Sequence, residues 1–118
     1  MPGTGRFSLE YPSWLRRNFP NDDASRQLLG VVEEVGELAH AHLKGQQGIR
    51  HTPEEIRAMK VDAVADIVIF LSGYCVNEGI DLDEAVEKAW DTVRLRDWIA
   101  NPMAVETDAQ LSLEGCDC

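Results

Sequence analysis

The sequence lacks paired cysteines, an excess of positive charge and a long uninterrupted apolar run, and each absence excludes a class of protein. An odd count of three cysteines indicates a reducing compartment, not a disulfide-stabilised secreted domain. Acidic residues outnumber basic ones by 21 to 11, and the formal charge of −10 disfavours a general nucleic-acid or anionic-membrane surface. The start of the chain lacks the pattern of a signal peptide. We therefore expect a cytoplasmic protein with no membrane segment and no stable nucleic-acid partner.

Length and composition predict one folded domain with flanking segments. The chain has 118 residues and a hydrophobic fraction of 44%. We expect an N-terminal arm with a short helix over 1–20, a helical domain over 21–101 and an acidic flexible tail over 102–118. Cys116 and Cys118 in the tail have no second Cys or His pair at zinc-site spacing. We interpret them as part of a solvated tail.

The segment 28–43 predicts the first long helix, because its apolar residues recur at three- and four-residue spacing. Glu34 and Glu37 lie one helical turn apart beside this apolar stripe. A simple solvated face would instead centre its charges on the back of the helix. Cap residues at 21–23 predict the start of the helix, and Gly45 predicts its end.

The segment 61–77 is apolar on nearly every side, which predicts a buried helix. It nevertheless carries Asp62 and Asp66, four residues apart on one side. Buried carboxylates are costly unless a positive charge lies against them. That charge is either a metal ion, which we favour, or a salt bridge from Lys88 or Arg94.

Capping signals bound the second long helix and open the third. Thr52, Pro53 and Glu55 supply an N-cap, a first-turn proline and a capping box, and Gly79 predicts the end of the second helix. The third helix is predicted over 80–101. The sequence therefore predicts an all-α fold, a bundle of three long helices plus a short N-terminal helix.

Any side chains that form an active site must lie on these helices. Carboxylates from neighbouring helices that converge across a core are how helical bundles build sites for divalent metals. Ligand sets made only of oxygen favour Mg²⁺ or Mn²⁺ over zinc, and Mg²⁺ commonly completes its shell with substrate phosphates. The sequence thus predicts a magnesium site for a phosphorylated substrate, with these candidate ligands: Glu34, Glu37, Asp62 and Asp66.

The stretches EEVGELAHA, DAVADIVIFL and NEGIDLDEAVEKAWDTVRLRDW lie within residues 21–98. They resemble the MazG-type nucleoside triphosphate pyrophosphohydrolases, an all-helical family related to dimeric dUTPases and to phosphoribosyl-ATP pyrophosphohydrolase. The family pattern is ExxE on one helix and ExxD on the next. Glu34 and Glu37 match the first half of the pattern, and Asp66 matches the last position of the second.

One position departs from the family pattern. Ala63 stands where the family usually has glutamate, and Asp62 lies one residue earlier. Because Asp62 is one helical turn from Asp66, we expect it to take the place of the missing glutamate.

The resemblance implies hydrolysis of a ribo- or deoxyribonucleoside triphosphate between the α and β phosphates, giving the monophosphate and pyrophosphate. It also implies Mg²⁺ as cofactor, phosphate contacts from Lys88 and Arg94, and a homodimer or homotetramer that completes a four-helix core. The residues of 64–76 are almost all hydrophobic, and one small protomer cannot cover that much apolar surface, which agrees with an oligomer.

Two alternatives remain open. The alanine at position 63 suggests a catalytically lapsed helical module that binds a nucleotide or a protein. The charge of −10 suggests an acidic mimic of nucleic acid, which predicts carboxylates spread along the outside of the molecule.

Overall fold

The structure is a computed structural model and describes residues 5–103 of the chain. Within that range it contains no strand and four helices: α1 (Gly5–Asn18), α2 (Ala24–Gln47), α3 (Pro53–Glu78) and α4 (Leu82–Val93). The predicted all-α fold is confirmed. None of these helices is long and apolar enough to cross a membrane. The predictions for the C-terminal tail, including Cys116 and Cys118, fall beyond Met103 and lie outside the described residues.

The chain divides after Val86, inside α4, into two compact units. The first contains α1, α2, α3 and the start of α4. The second contains the rest of α4 and the turns that follow it.

Helix α2 begins where the sequence predicts and ends slightly later. The Asp23 carboxylate caps its start by accepting a hydrogen bond of 2.9 Å from the backbone N–H of Arg26. The predicted stop at Gly45 is wrong, because the helix continues to Gln47. Gly48 is the residue that adopts the left-handed conformation, with a φ of 68°, and its N–H donates to the carbonyl of Lys44.

Helix α3 has both predicted ends. The Thr52 hydroxyl accepts from the Glu55 backbone N–H at 3.1 Å, and the Glu55 carboxylate accepts from the Thr52 backbone N–H at 2.9 Å. This reciprocal pair satisfies two N–H groups that the first turn would otherwise leave unbonded. At the other end Gly79 adopts a φ of 67° and closes the helix after Glu78.

The third predicted helix, over 80–101, is too long. Helix α4 ends at Val93, and turns follow it. The Asp97 carboxylate accepts from the backbone N–H groups of Ile99 and Ala100 at 3.1 and 2.9 Å. A short acidic side chain bonded to nearby backbone in this way competes with a continued helix.

The N-terminal helix is longer than the predicted short helix, and it contains Pro12. Tyr11 and Leu15 are its buried residues, and the helix contacts α3. The Tyr11 hydroxyl lies beside Gly73, where a Cβ would overlap it.

Helices α2 and α3 form the main packing interface of the first unit. Three close contacts, each made against a glycine, define their antiparallel register: Gln27 with Gly73, Gly30 with Phe70, and Gly45 with Ile56. In each case the missing side chain lets the two backbones approach. Continued along the helices, this register places Glu34 opposite Asp66.

The prediction that α3 is buried on nearly every side is wrong for the single chain. Val64 on α3 is 51% exposed, and Val32 on α2 is 63% exposed. Within the first unit α3 packs mainly against α2 and makes a smaller contact with α1, and apolar residues such as Val64 stay in contact with solvent.

Candidate active site

Acidic side chains from α2 and α3 meet where the register brings Glu34 opposite Asp66. Both residues are half-buried. Desolvation raises the pKa of Glu34, and the neighbouring charges of Asp66, Glu33 and Glu37 raise it further. A carboxyl group with several like charges around it and no cation favours its protonated form. Of the predicted site residues, the structure therefore brings together Glu34, Glu37 and Asp66 as electrostatic neighbours.

The second acid predicted on α3 lies in a different environment. Asp62 is exposed, and it is not among the charges that raise the pKa of Glu34. The expectation that Asp62 and Asp66 are both buried is wrong for the single chain, because the outer side of α3 is uncovered. Ala63 is only 4% exposed, and the register places it opposite Glu37 in the α2–α3 interface.

The donor chemistry of these acids fits a hard divalent cation, because every candidate ligand atom is a carboxylate oxygen. A cation at Glu34 would also reverse the rise in its pKa. As the side chains are placed, however, no group of three or more His, Cys, Asp or Glu residues in 5–103 could hold a metal ion. Convergence of all four acids on one ion stays a prediction.

The two predicted phosphate contacts lie in the second unit. Lys88 is on α4 and Arg94 is in the turn after it, and both side chains are exposed. Their proximity to the acidic residues stays a prediction.

An aromatic cavity lies near the N-terminal end of α2. Its volume is about 660 Å³, and its lining includes Trp14, Phe19 and Phe70 together with Gln27. Gln27 precedes Glu34 by seven residues, which is two turns, or about 10 Å along the same helix face. The cavity and the acidic residues therefore follow one another along α2.

A polar network borders this cavity, and the sequence did not identify it as a unit. The Asp22 carboxylate accepts from Gln27 Nε2 and from Asn77 Nδ2, both at 2.8 Å. Burial raises the pKa of Tyr11, and the charge of Asp22 raises it further. The seven-residue spacing from Gln27 to Glu34 is the one sequence signal that could have indicated it.

The fold and the acids paired across its two longest helices fit the all-α nucleoside triphosphate pyrophosphatase superfamily. The chain belongs to the phosphoribosyl-ATP pyrophosphohydrolase family, whose family model matches residues 11–91. That range contains all four candidate acids and Lys88, but not Arg94. Comparisons with curated proteins and with solved structures find no match.

Membership of this family supports a hydrolase that acts on a phosphoanhydride of a nucleotide. The narrower resemblance to MazG-type enzymes stays a prediction. The two families lie in one superfamily, so the sequence placed the chain correctly at that broader level.

Proposed function

We propose that this protein is a Mg²⁺-dependent pyrophosphohydrolase that cleaves the α–β phosphoanhydride of a nucleoside triphosphate. The products are the nucleoside monophosphate and pyrophosphate. The observation that carries the proposal is the position of Glu34 opposite Asp66, where desolvation and then the neighbouring acids raise the pKa of Glu34. The family match supports the reaction type.

Four acids would hold the magnesium ion in this proposal. Glu34 and Asp66 lie opposite one another, and Glu37 and Asp62 would turn toward them to complete the set. Bound there, the ion supplies charge neutralisation for the phosphate oxygens. Mn²⁺ has similar ligand preferences and would substitute for Mg²⁺.

Other side chains would accept the proton and bind the leaving group. If Glu34, Glu37 and Asp66 alone hold the ion, Asp62 would accept the proton of the attacking water, and Glu33 would do so if Asp62 is the fourth ligand. Lys88 and Arg94 would donate charge-assisted hydrogen bonds to the departing pyrophosphate.

The aromatic cavity would receive the base. Trp14, Phe19 and Phe70 offer ring faces for stacking, and Arg26 also lines the cavity. Its place two helical turns from Glu34 suits a nucleotide whose base lies in the cavity and whose phosphates reach the acids.

Phosphoribosyl-ATP is a second candidate substrate, because the matching family is named for it. It carries a triphosphate, so the same bond would be cleaved and pyrophosphate would again be released. The two candidates differ only in what the protein must accommodate beyond the triphosphate.

A homo-oligomer, either a dimer or a tetramer, is part of the proposal. The exposed apolar side chains of α2 and α3 supply a surface that a second copy would cover: Leu28, Val32, Val35, Val61 and Val64.

The test is incubation with a panel of nucleoside triphosphates and phosphoribosyl-ATP, with Mg²⁺ or chelator, followed by separation of pyrophosphate from orthophosphate. We expect Mg²⁺-dependent pyrophosphate release. Glu37→Gln should lower the rate by roughly 100-fold or more, because a lost metal ligand removes several kcal/mol of charge stabilisation. Glu10→Gln, an exposed acid on α1, is the matched control and should keep the wild-type rate.

Two results would contradict the proposal. Orthophosphate as the sole product would reject α–β cleavage. A wild-type chain that is fully helical and binds nucleotide but releases no product would favour the lapsed binding module.

A further inference from the structure

A second cavity, of about 540 Å³, lies where α2 ends and α3 begins. Among the described residues no Asp or Glu lines it, although the chain has 21 acids in 118 residues. The basic and imidazole side chains that line it come from both helices and the turn between them: His42, Lys44, His51, Arg57 and Lys60. In a chain with an acidic excess, this concentration of nitrogen donors marks a local positive surface.

The two helices bring these groups together across their interface. A Cβ on Gly45 of α2 would lie 3.8 Å from Lys60 Nζ, so the ammonium group of α3 reaches the end of α2. Ile56 is buried and also lines the cavity, which gives it a fixed apolar wall. The cavity therefore forms only when the α2–α3 register is in place.

Within residues 5–103 neither Arg57 nor Lys60 forms an ion pair with a carboxylate. Glu55, two residues before Arg57, instead bonds to Thr52 at the start of α3. Those hydrogen bonds lower the pKa of Glu55, and the charge of His51 lowers it further.

A purely structural explanation accounts for only part of the cluster. Lys44 lies in the last turn of α2, where a positive charge stabilises the negative end of the helix dipole, and it donates to Gln47 Oε1 at 3.2 Å. Arg57 and Lys60 lie in the N-terminal half of α3, where the dipole gives a positive charge no advantage. No hydrogen bond or ion pair within residues 5–103 uses their charge.

We propose that this cavity binds a small, multiply charged phosphate anion, such as pyrophosphate or the phosphate chain of a nucleotide. Its volume lies in the range of small-molecule sites, roughly 300–1,000 Å³. Arg57 offers a planar fork that suits two phosphate oxygens, and Lys60 offers a point charge beside it. The site is separate from the acidic residues, and the proposal does not rest on the proposed hydrolysis.

The test is calorimetric titration of the full chain with pyrophosphate, a nucleoside monophosphate and a nucleoside triphosphate, each in chelator so that no metal takes part. The variant is Arg57→Gln with Lys60→Gln. The matched control is Arg16→Gln with Arg17→Gln, which removes the same charge from exposed residues of α1. Circular dichroism confirms equal helical content.

We expect pyrophosphate to bind the wild-type chain and the cavity variant to bind at least tenfold more weakly, while the control stays within twofold. Tighter binding of the triphosphate than of pyrophosphate would assign the ligand as a nucleotide, and the reverse order would assign it as free pyrophosphate. Glu37→Gln should bind like the wild type, which separates this site from the catalytic proposal.

Three results would overturn the proposal. The first is that pyrophosphate does not bind the wild-type chain. The second is that the cavity variant and its control lose the same amount of affinity for pyrophosphate. The third is that Glu37→Gln loses as much affinity as the cavity variant does. Single-stranded RNA that binds through Arg57 and Lys60 more tightly than pyrophosphate does would overturn the assignment of a small anion.

Discussion

Gly73 of α3 lies against side chains of both α1 and α2. A Cβ there would overlap the Gln27 carboxamide and the Tyr11 hydroxyl. Gln27 is held by its hydrogen bond to Asp22, and Tyr11 is buried, so neither can move away freely. We expect Gly73→Ala to lower the free energy of unfolding by about 1–3 kcal/mol, the usual range for overpacking. Urea denaturation followed by circular dichroism measures it.

Gly36 on α2 is the matched control. It is also a helical glycine, but a Cβ there meets nothing within 4 Å. Gly36→Ala should therefore raise the free energy of unfolding by about 0.5–1 kcal/mol through helix propensity alone. Equal changes in the two variants would contradict the packing described at Gly73.

The sequence identified single residues best where a local pattern carries the signal. Glu34 and Asp66 were singled out because acids at helical spacing beside apolar stripes are conspicuous, and their role as metal ligands stays a prediction. The basic cavity was missed because His42 and Lys60 are distant in sequence and meet only through the α2–α3 turn. The burial of Ala63 likewise depends on the interhelical register, which spacing within one helix does not give.

Helix α3 depends on its capping box. Thr52→Ala removes the hydroxyl that accepts from the Glu55 N–H, and we expect it to cost about 1 kcal/mol of stability. Replacing Ala24 by Gly at the start of α2, which leaves this box intact, is a control for general helix weakening. Thermal unfolding of the two variants measures and compares their losses of stability.

The same box predicts a pH dependence. Hydrogen bonds with Thr52 hold the pKa of Glu55 below its ordinary value of 4.5. Because the folded-state pKa is lower than the unfolded one, the stabilisation is complete above 4.5 and is lost as the pH falls through the folded-state value. Acid titration of Glu55→Gln should show a shallower loss of stability in this range. An unchanged slope would contradict the role of the carboxylate.

At the scale of elements, the sequence predicted the starts of α2 and α3 because caps are local. It overestimated the third helix, since the turn built on Asp97 depends on which backbone groups its carboxylate reaches. It underestimated α1, which already begins at Gly5 and contains Pro12.

The exposed apolar side chains of α2 and α3 lead to a prediction for the whole molecule. If a second copy covers them, Val64→Glu places an unpaired charge in the interface and should shift the protein toward monomer. Ser13→Glu, at an exposed position of α1, should not. Light scattering after size exclusion measures the mass. A wild-type chain that elutes as a monomer at micromolar concentration would contradict the oligomer.

For the whole molecule, the resemblance of stretches such as EEVGELAHA and DAVADIVIFL to MazG-type enzymes placed the chain in the right superfamily. It did not predict how much apolar surface one copy leaves uncovered. That quantity depends on which sides of α3 have partners, and hydropathy alone does not specify them.

Acids from both α2 and α3 should bind a single divalent ion. Titration with Mn²⁺, followed by loss of the free-ion signal in electron paramagnetic resonance, measures this binding. We expect one class of site in the wild-type chain, weakened at least about tenfold by Glu34→Gln and equally by Asp66→Asn, and unchanged by Glu10→Gln. If Asp66→Asn binds Mn²⁺ as tightly as the wild type does, α3 contributes nothing to the ion and the shared site is wrong.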